Sequence, residues 1–267
     1  MSVINTNIQS LIAQNAIKVN GRAMSDAMAQ LSTGSRINSA SDDAAGLAIS
    51  ENMSGQIRSL NMAVRNANDG ISLAQTAEGA MIEISNMMQR MRELAVQSAT
   101  GTLSASQRDY LNVEYSALES QITSTISNTK WNGQNVLSTG DITFGIQVGS
   151  EAGQRVTVTS AGISMDSSLD ISTEATASTA LSSLDAQLGT VNSARASLGA
   201  IVNRLTSAAD NLTNISQNLS ESRSRIRDTD YGAATAELAR TMIIQQAGTA
   251  VLAQANQAPQ AVLALLR

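Results

Sequence analysis

The stretch from Leu184 to Ile226 decides the fold, because an apolar residue recurs in it at every seventh position. The row consists of Leu184, Val191, Leu198, Leu205, Leu212, Leu219 and Ile226. A second heptad row, from Leu181 to Arg223, is apolar in its first half and more polar later. This sustained repeat without a proline predicts one continuous helix with an apolar seam. At 1.5 Å per residue such a helix is roughly 65–70 Å long, so it needs other long helices beside it.

The composition also favours long, thin helices. Only 2% of the residues are aromatic, while Ala, Ser, Leu, Asn and Gln dominate. Such a chain can pack helices closely along narrow seams, but it cannot build a thick globular core. The single proline, Pro259, leaves the other helices uninterrupted and predicts a kink near the end of the last one. We therefore expect a mainly α fold, a long antiparallel helical bundle or coiled coil with one small β-hairpin.

Several classes of function are disfavoured by what the sequence lacks. Without Cys or His there is no disulfide, no thiol nucleophile, no imidazole base and no Cys/His metal site, and we expect no cofactor. A net charge of −5 and the lack of a Lys/Arg run argue against nucleic-acid binding. No run of 18 apolar residues is present to insert in a membrane, and the N-terminus does not resemble a cleaved secretory signal. The protein is expected either to remain in the cytoplasm or to leave by a route that needs no such signal.

Three helices are predicted before the centre of the chain. The first covers residues 3–33 and stops at Gly34, and residues 34–41 form a connector. The second begins after a Ser41 cap and runs to about residue 100, with its weakest point at residues 66–70. The third opens with the capping-box spacing of Ser104 and Gln107 and ends near the turn at residues 131–133.

The period changes to two within residues 141–159, which predicts a β-hairpin. Residues 160–178 are rich in Ser, Thr and Ala and are expected to form a short surface loop before the heptad helix. A second connector covers residues 227–232, and a last helix follows it. We expect residues 1–40 and 232–267 to pair as one discontinuous helical domain, with residues 41–231 forming the helical bundle.

No catalytic or metal-binding constellation is predicted. The helical acids are more simply interpreted as solvated surface groups than as paired catalytic carboxylates: Glu78, Glu83, Glu114, Glu119 and Asp185. The glycine-containing runs match neither a Walker loop nor a dinucleotide-binding loop. The segment from Arg90 to Leu94 is, on spacing alone, best interpreted as a charged helix face with local ion pairs.

Longer motifs resemble those of bacterial flagellins over nearly all of the chain. In the first half they are residues 3–7, 31–40, 42–46, 65–72, 74–79 and 92–99. In the second half they are residues 194–200, 223–231 and 245–257. The resemblance implies a structural subunit that polymerises into the flagellar filament for swimming motility. It departs from many flagellins in the middle, where only residues 160–178 occupy the place of the variable outer domains, so the chain resembles a minimal form.

The resemblance also implies where the subunits touch. The terminal helices would build the inner tube, with assembly contacts at Ile4, Ile8, Leu11, Ile244, Val251, Val262 and Leu265. The seam from Leu184 to Ile226 would hold the bundle together. Arg90, Leu94 and Glu114 match a surface that flagellins use for subunit packing and that the animal innate flagellin receptor contacts.

The implied partners are other copies of the chain, an export chaperone at the C-terminal helix, and the filament cap and hook-junction proteins. The implied location is extracellular, in the filament, after export without a cleaved signal peptide. Two alternatives remain at this point: a hook–filament junction protein of the same superfamily and, from a different class, a secreted enzyme.

Overall fold

The computed structural model describes residues 6–165 and 169–264, with side chains described as far as Gln257. The described residues form five helices: α1 Ile8–Thr33, α2 Ala44–Ser98, α3 Ala105–Asn128, α4 Glu174–Arg227 and α5 Tyr231–Ala264. They also form four short strands: β1 Lys130–Trp131, β2 Gln134–Asn135, β3 Ile142–Gln147 and β4 Arg155–Ser160. The predicted mainly α fold is confirmed.

The chain divides into two compact units. The terminal unit contains residues 1–55 and 218–267, and the central unit contains residues 56–217. Helices α2 and α4 each contribute residues to both units. The two chain ends thus belong to one discontinuous unit, while the domain boundaries expected near residues 40 and 232 stay a prediction.

In the terminal unit α1 and α5 pack against each other in antiparallel directions. The Asn20 side-chain amide donates to the Thr241 carbonyl at 2.8 Å, and the Asn7 amide donates to the Ala255 carbonyl at 2.7 Å. Helix α1 ends as predicted, because Gly34 takes a left-handed conformation with φ 69° and donates its N–H to the Gln30 carbonyl. The prediction of paired terminal helices is confirmed.

The two connectors lie side by side and bond to each other through their backbones. The Arg36 N–H donates to the Arg227 carbonyl at 2.6 Å, and the Thr229 N–H donates to the Gly34 carbonyl at 3.0 Å. The second connector is shorter than expected, because α4 continues through Arg227 and α5 begins at Tyr231. Asp230 makes this short connection feasible, since its carboxylate accepts the Gly232 N–H at 2.8 Å at the start of α5.

Helix α2 starts with a different cap from the one that was predicted. The carboxylate that accepts a helix N–H belongs to Asp43, which bonds Gly46 N–H at 2.8 Å, so Ser41 is not the cap. Asp42 instead accepts two connector N–H groups, from Ser39 and Asn38, and these hydrogen bonds, that from Ser39 first, hold the pKa of its carboxyl below the ordinary value.

The weak point predicted at residues 66–70 is not a break, and α2 is continuous through it. At Gly70 the hairpin and α4 both lie close to α2. A Cβ built on Gly70 would lie 3.0 Å from Cγ1 of Ile146 and 3.2 Å from Cδ1 of Leu205. The glycine therefore serves packing here, and its low helix propensity is overridden by the tertiary contacts that it permits.

The predicted hairpin is present as β3 and β4, paired antiparallel with Phe144 opposite Val158 and Ile146 opposite Val156. A second, two-residue pairing of β1 and β2 was not predicted. It closes around Asn132 and Gly133, both with positive φ, so the turn expected at this dipeptide is confirmed and its flanks pair as a minimal hairpin.

The surface loop expected at residues 160–178 is wrong in two respects. Ile163 and Ile171 are buried, at 2% and 0% exposure, so the segment contributes to the core. Its last residues belong to α4, which begins at Glu174. Thr173 and Thr176 explain the early start, because each hydroxyl accepts the other residue's backbone N–H, at 3.2 and 3.1 Å, in a reciprocal cap.

The core of the central unit is a column of apolar side chains between α2, α3 and α4. The seam residues Leu184, Val191, Leu198 and Leu205 are fully buried, and Leu212 is nearly so. Helix α2 faces them with residues whose side chains are 0% exposed: Ala74, Ala77, Met81, Ile84, Met88, Met91 and Ala95. The last two seam residues, Leu219 and Ile226, belong to the terminal unit and are only partly buried.

Candidate functional site

Helix α1 exposes large apolar side chains to solvent in the isolated chain. The predicted assembly residues Ile8 and Leu11 are 56% and 55% exposed, and the adjacent Ile12 is 64% exposed. An isolated apolar side chain at a protein surface is ordinary, but a contiguous group of this kind marks an interaction surface. These three residues lie within little more than one helical turn.

Helix α5 has the same character. Ile244 and Val251, both predicted assembly residues, are 41% and 59% exposed, and the neighbouring Ile243 is 67% exposed. The other three predicted positions, Ile4, Val262 and Leu265, lie outside the residues whose side chains are described. Four of the seven predicted positions can thus be located, and all four are exposed apolar residues on the paired terminal helices.

The contact between α1 and α5 explains why these residues remain outside it. The buried residues of α1 are Ser10, Asn20 and Ala27, which are small or polar. Asn20 donates to the Thr241 carbonyl and to the Gln245 side chain, at 2.8 and 3.2 Å. Polar bonds and small side chains therefore make much of this contact, together with Ile17, which packs against Gly248, while Ile8 and Leu11 stay exposed.

The second predicted surface lies on α2 and α3 in the central unit. The Arg90 guanidinium donates to Glu114 on α3 and to Glu93 on its own helix, both at 2.9 Å. Hydrogen bonds from these two carboxylates, that to Glu93 first, raise the pKa of Arg90 above its ordinary value. About half of each of the Arg90 and Glu114 side chains is exposed, so the pair is an accessible charged surface.

Leu94 does not share that surface. Its side chain is 1% exposed and packs in the core of the central unit with Met91. The expectation that Arg90 and Leu94 present one exposed face is therefore wrong. The heptad pattern of α2 explains the difference, because Leu94 follows Met91 by three residues and Ile84 by ten, on the side that faces the bundle.

Arg92 makes a contact that no sequence pattern indicated. Its Nε donates to Asp185 on α4 at 2.7 Å, and this hydrogen bond lowers the pKa of the Asp185 carboxyl. Arg90 and Arg92, on either side of buried Met91, thus connect α2 to α3 and to α4, respectively. No local signal could have found this pair, because its members are 93 positions apart.

Two further kinds of site are absent from the described part of the chain. It contains no group of three acidic side chains placed to hold a metal ion. Among the described helices, none is both long enough and apolar enough to cross a membrane.

Comparison with known proteins agrees with the sequence motifs. The model of the bacterial flagellin N-terminal helical region matches residues 4–141, and that of the C-terminal helical region matches residues 176–266. A flagellin of Halalkalibacterium halodurans is 43% identical, over 99% of this chain and 100% of the relative. The flagellar filament 33 kDa core protein of Treponema phagedenis is 39% identical, again over 99% of this chain and 100% of the relative.

A longer relative and a solved structure add a comparison of chain length and one of fold. Flagellin B of Vibrio cholerae is 32% identical over 98% of this chain and 99% of the relative, but the alignment extends over 371 positions, so that flagellin carries residues that this compact chain of 267 lacks. A putative flagellar hook-associated protein from Vibrio parahaemolyticus has a TM-score of 0.59 and 15% identity, over 70% of this chain and 100% of that chain. At that identity the likeness concerns the fold alone.

Proposed function

The chain belongs to the bacterial flagellin family and is a structural subunit of the flagellar filament, and from this premise we propose which of its surfaces join the subunits. The first is the outer face of the α1–α5 pair, carrying Ile8, Leu11, Ile244 and Val251. We propose that neighbouring copies cover these side chains and so form the inner tube of the filament. From the sequence we assign the same role to Ile4, Val262 and Leu265.

The observation that supports this proposal is the exposure of those four side chains in a single chain. Burying one side chain of this size contributes about 1.5–3 kcal/mol when it was fully exposed, and proportionally less from half exposure. Many copies repeat the contact along a filament, so modest gains per residue add up to a stable assembly. Residues 1–40 and 232–267 would then act as the inner domain, and residues 41–231 as the surrounding shell.

The second proposed contact surface is the Arg90–Glu114 pair. Its exposed charges support a role in orienting a neighbouring subunit, since complementary charges set register and partner choice. Leu94 acts from beneath, by packing in the core that holds α2 in place. If an animal innate flagellin receptor binds the free subunit, we propose that it uses the same Arg90 and Glu114 side chains.

The remaining proposals concern transport and partners. The exposed apolar residues of α5 need cover before assembly, which supports an export chaperone on that helix. We also propose that the protein is exported without a cleaved signal peptide. At the two filament ends it would contact the filament cap and the hook-junction proteins. Its role would be mechanical, without catalysis.

The experiment that tests the inner-tube proposal starts from the purified full-length chain. Wild-type protein is expected to form long filaments that sediment and are visible by negative-stain electron microscopy. The double variant Ile244→Ser, Val251→Ser should lose sedimentation, while the matched control Gln246→Ser, at an exposed polar position of the same helix, should assemble normally. Normal filaments from the double variant would refute the assignment of these two residues.

A further inference from the structure

The outward side of α3 carries two large apolar residues beside two acids. Tyr110 and Val113 are 77% and 70% exposed, and three positions separate them, so they share one helix face. Asp109 and Glu114 are exposed next to them. We call Asp109, Tyr110, Val113 and Glu114 the acidic strip. Its apolar residues lie opposite Tyr115 and Ile122, which fix the other side of α3 in the core.

A strip of opposite charge runs along α2. Arg58, Met62 and Arg65 follow one another at spacings of four and three, which places them on one helix face, and all three are exposed. Met62 is 46% exposed, and its sulfur is contacted by the Arg65 guanidinium. Neither arginine forms an ion pair with any residue that the structure describes. We call these three residues the basic strip.

The two strips lie at opposite ends of the central unit. The basic strip is beside the Asn61–Ser216 hydrogen bond, where α2 meets the later part of α4. The acidic strip is at the other end, where Arg90 bonds Glu114 and Arg108 bonds the Ser98 carbonyl. Met62 and Arg90 are separated along α2 by about 42 Å at 1.5 Å per residue. The strips of one copy therefore cannot meet each other.

We propose that the acidic strip of one subunit binds the basic strip of the next copy in the filament. The two surfaces match in chemistry, because Tyr110 and Val113 lie between two acids and Met62 lies between two arginines. Glu114 also bonds Arg90, but 46% of its side chain remains exposed. Arginine forms its strongest pairs with carboxylates and stacks on tyrosine, and a methionine sulfur contacts aromatic rings favourably. They also match in size, since Arg58 to Arg65 and Asp109 to Glu114 extend over about 10 and 8 Å.

The arrangement also fits an open polymer. A contact between two different patches at opposite ends of a unit is heterologous, and such contacts generate filaments when the rotation between copies does not close a ring. The second copy is the expected occupant because the chain is a filament subunit and the charges are complementary. This inference rests on the filament function and adds to it the pair of surfaces that meet.

A charge exchange between the strips tests the proposal. Arg58→Asp and Asp109→Arg are made singly and together in the full-length chain. Each protein is added to wild-type filament seeds, and assembly is measured as the concentration of subunit that stays in the supernatant after sedimentation. Each single variant places like charges opposite each other and should raise that concentration about three- to tenfold. The double variant restores opposite charges across the contact and should return it to near the wild-type value.

The controls separate this contact from general charge effects, from misfolding and from the filament function itself. Arg204→Asp makes the same charge change on α4, outside both strips, and should leave assembly unchanged; circular dichroism should show the same helix content in every variant. Wild-type seeds that do not grow would refute the filament function. Growth of wild type with unaffected single variants, or with single variants that the exchange does not rescue, would overturn the pairing of the strips alone.

Discussion

The two units bury very different side chains. In the central unit the interior contains Met81, Met88, Tyr115 and Leu198, all at most 1% exposed. In the terminal unit the buried apolar residues are mostly alanines, such as Ala27 and Ala234, and buried Asn20 and Thr241 join α1 to α5. Large apolar area removed from water is the main source of stability in a single chain. The central unit therefore contains its own core, whereas the terminal unit leaves large apolar residues exposed, and we propose that other copies cover them.

The sharpest test of this contrast is Leu205→Ala in the central unit. Leu205 is fully buried in the seam, and its side chain fills the space next to Gly70. Truncation therefore removes apolar burial and leaves a cavity. We expect a loss of about 2–5 kcal/mol in the unfolding free energy. Denaturant unfolding followed by circular dichroism measures it.

Two matched variants complete that test. Ser207→Ala, on the exposed face of the same helix, should change the unfolding free energy by less than about 0.5 kcal/mol. Val251→Ala in the terminal unit should also leave the single chain nearly unchanged, although we expect it to weaken filament formation. Equal losses for Leu205→Ala and Val251→Ala would show that both units rely on their own cores.

A smaller effect is expected at Gly70, where the hairpin and α4 both lie close to α2. Gly70→Val places methyl groups within the space already filled by Ile146 and Leu205. Overpacking of this kind costs about 1–3 kcal/mol, even though valine has the higher helix propensity. The matched change Gly79→Val, on the same helix with no atom within 4 Å of the added Cβ, should be neutral or slightly stabilising. A destabilisation of equal size at both glycines would place its cause in the helix itself and not in packing.

Much of this architecture could be predicted from local patterns. The heptads from Leu184, the Gly34 stop, the Ser104–Gln107 capping box and the alternating hairpin each act over a few residues, and each corresponds to an element in the structure. Local patterns are less informative where tertiary contacts override local preference. The continuous α2 at Gly70 is such a case, and burial of Ile163 and Ile171 in a Ser/Thr-rich segment is another.

The candidate surfaces also include residues that agree with the sequence-based expectation and residues that do not. Exposure of Ile8 and Val251 agrees with an assembly role that was expected from the resemblance, and their contacts stay a prediction. Burial of Leu94 was misjudged because helical spacing relates Leu94 to Arg90 but does not say which side faces α4. The partner of Arg92 could not be inferred at all, since it depends on how α2 and α4 align across 93 positions of sequence.

The smallest expected effect concerns this Arg92–Asp185 pair, an exposed ion pair that joins α2 and α4 in the central unit. Its hydrogen bond lowers the pKa of Asp185 in the folded chain relative to the unfolded one, so the stabilisation is present above the ordinary carboxyl pKa and is lost as the pH falls through the folded pKa. Asp185→Asn should lower the melting temperature slightly at neutral pH, and the difference from wild type should shrink below about pH 4.

The control Asp210→Asn removes an exposed acid of α4 that forms no ion pair with the described residues. Because Asp210 has no such partner to lose, its variant should differ from wild type less than Asp185→Asn does. A melting difference for Asp185→Asn that stays constant into the acid range would mean that the carboxylate charge contributes nothing to joining the two helices.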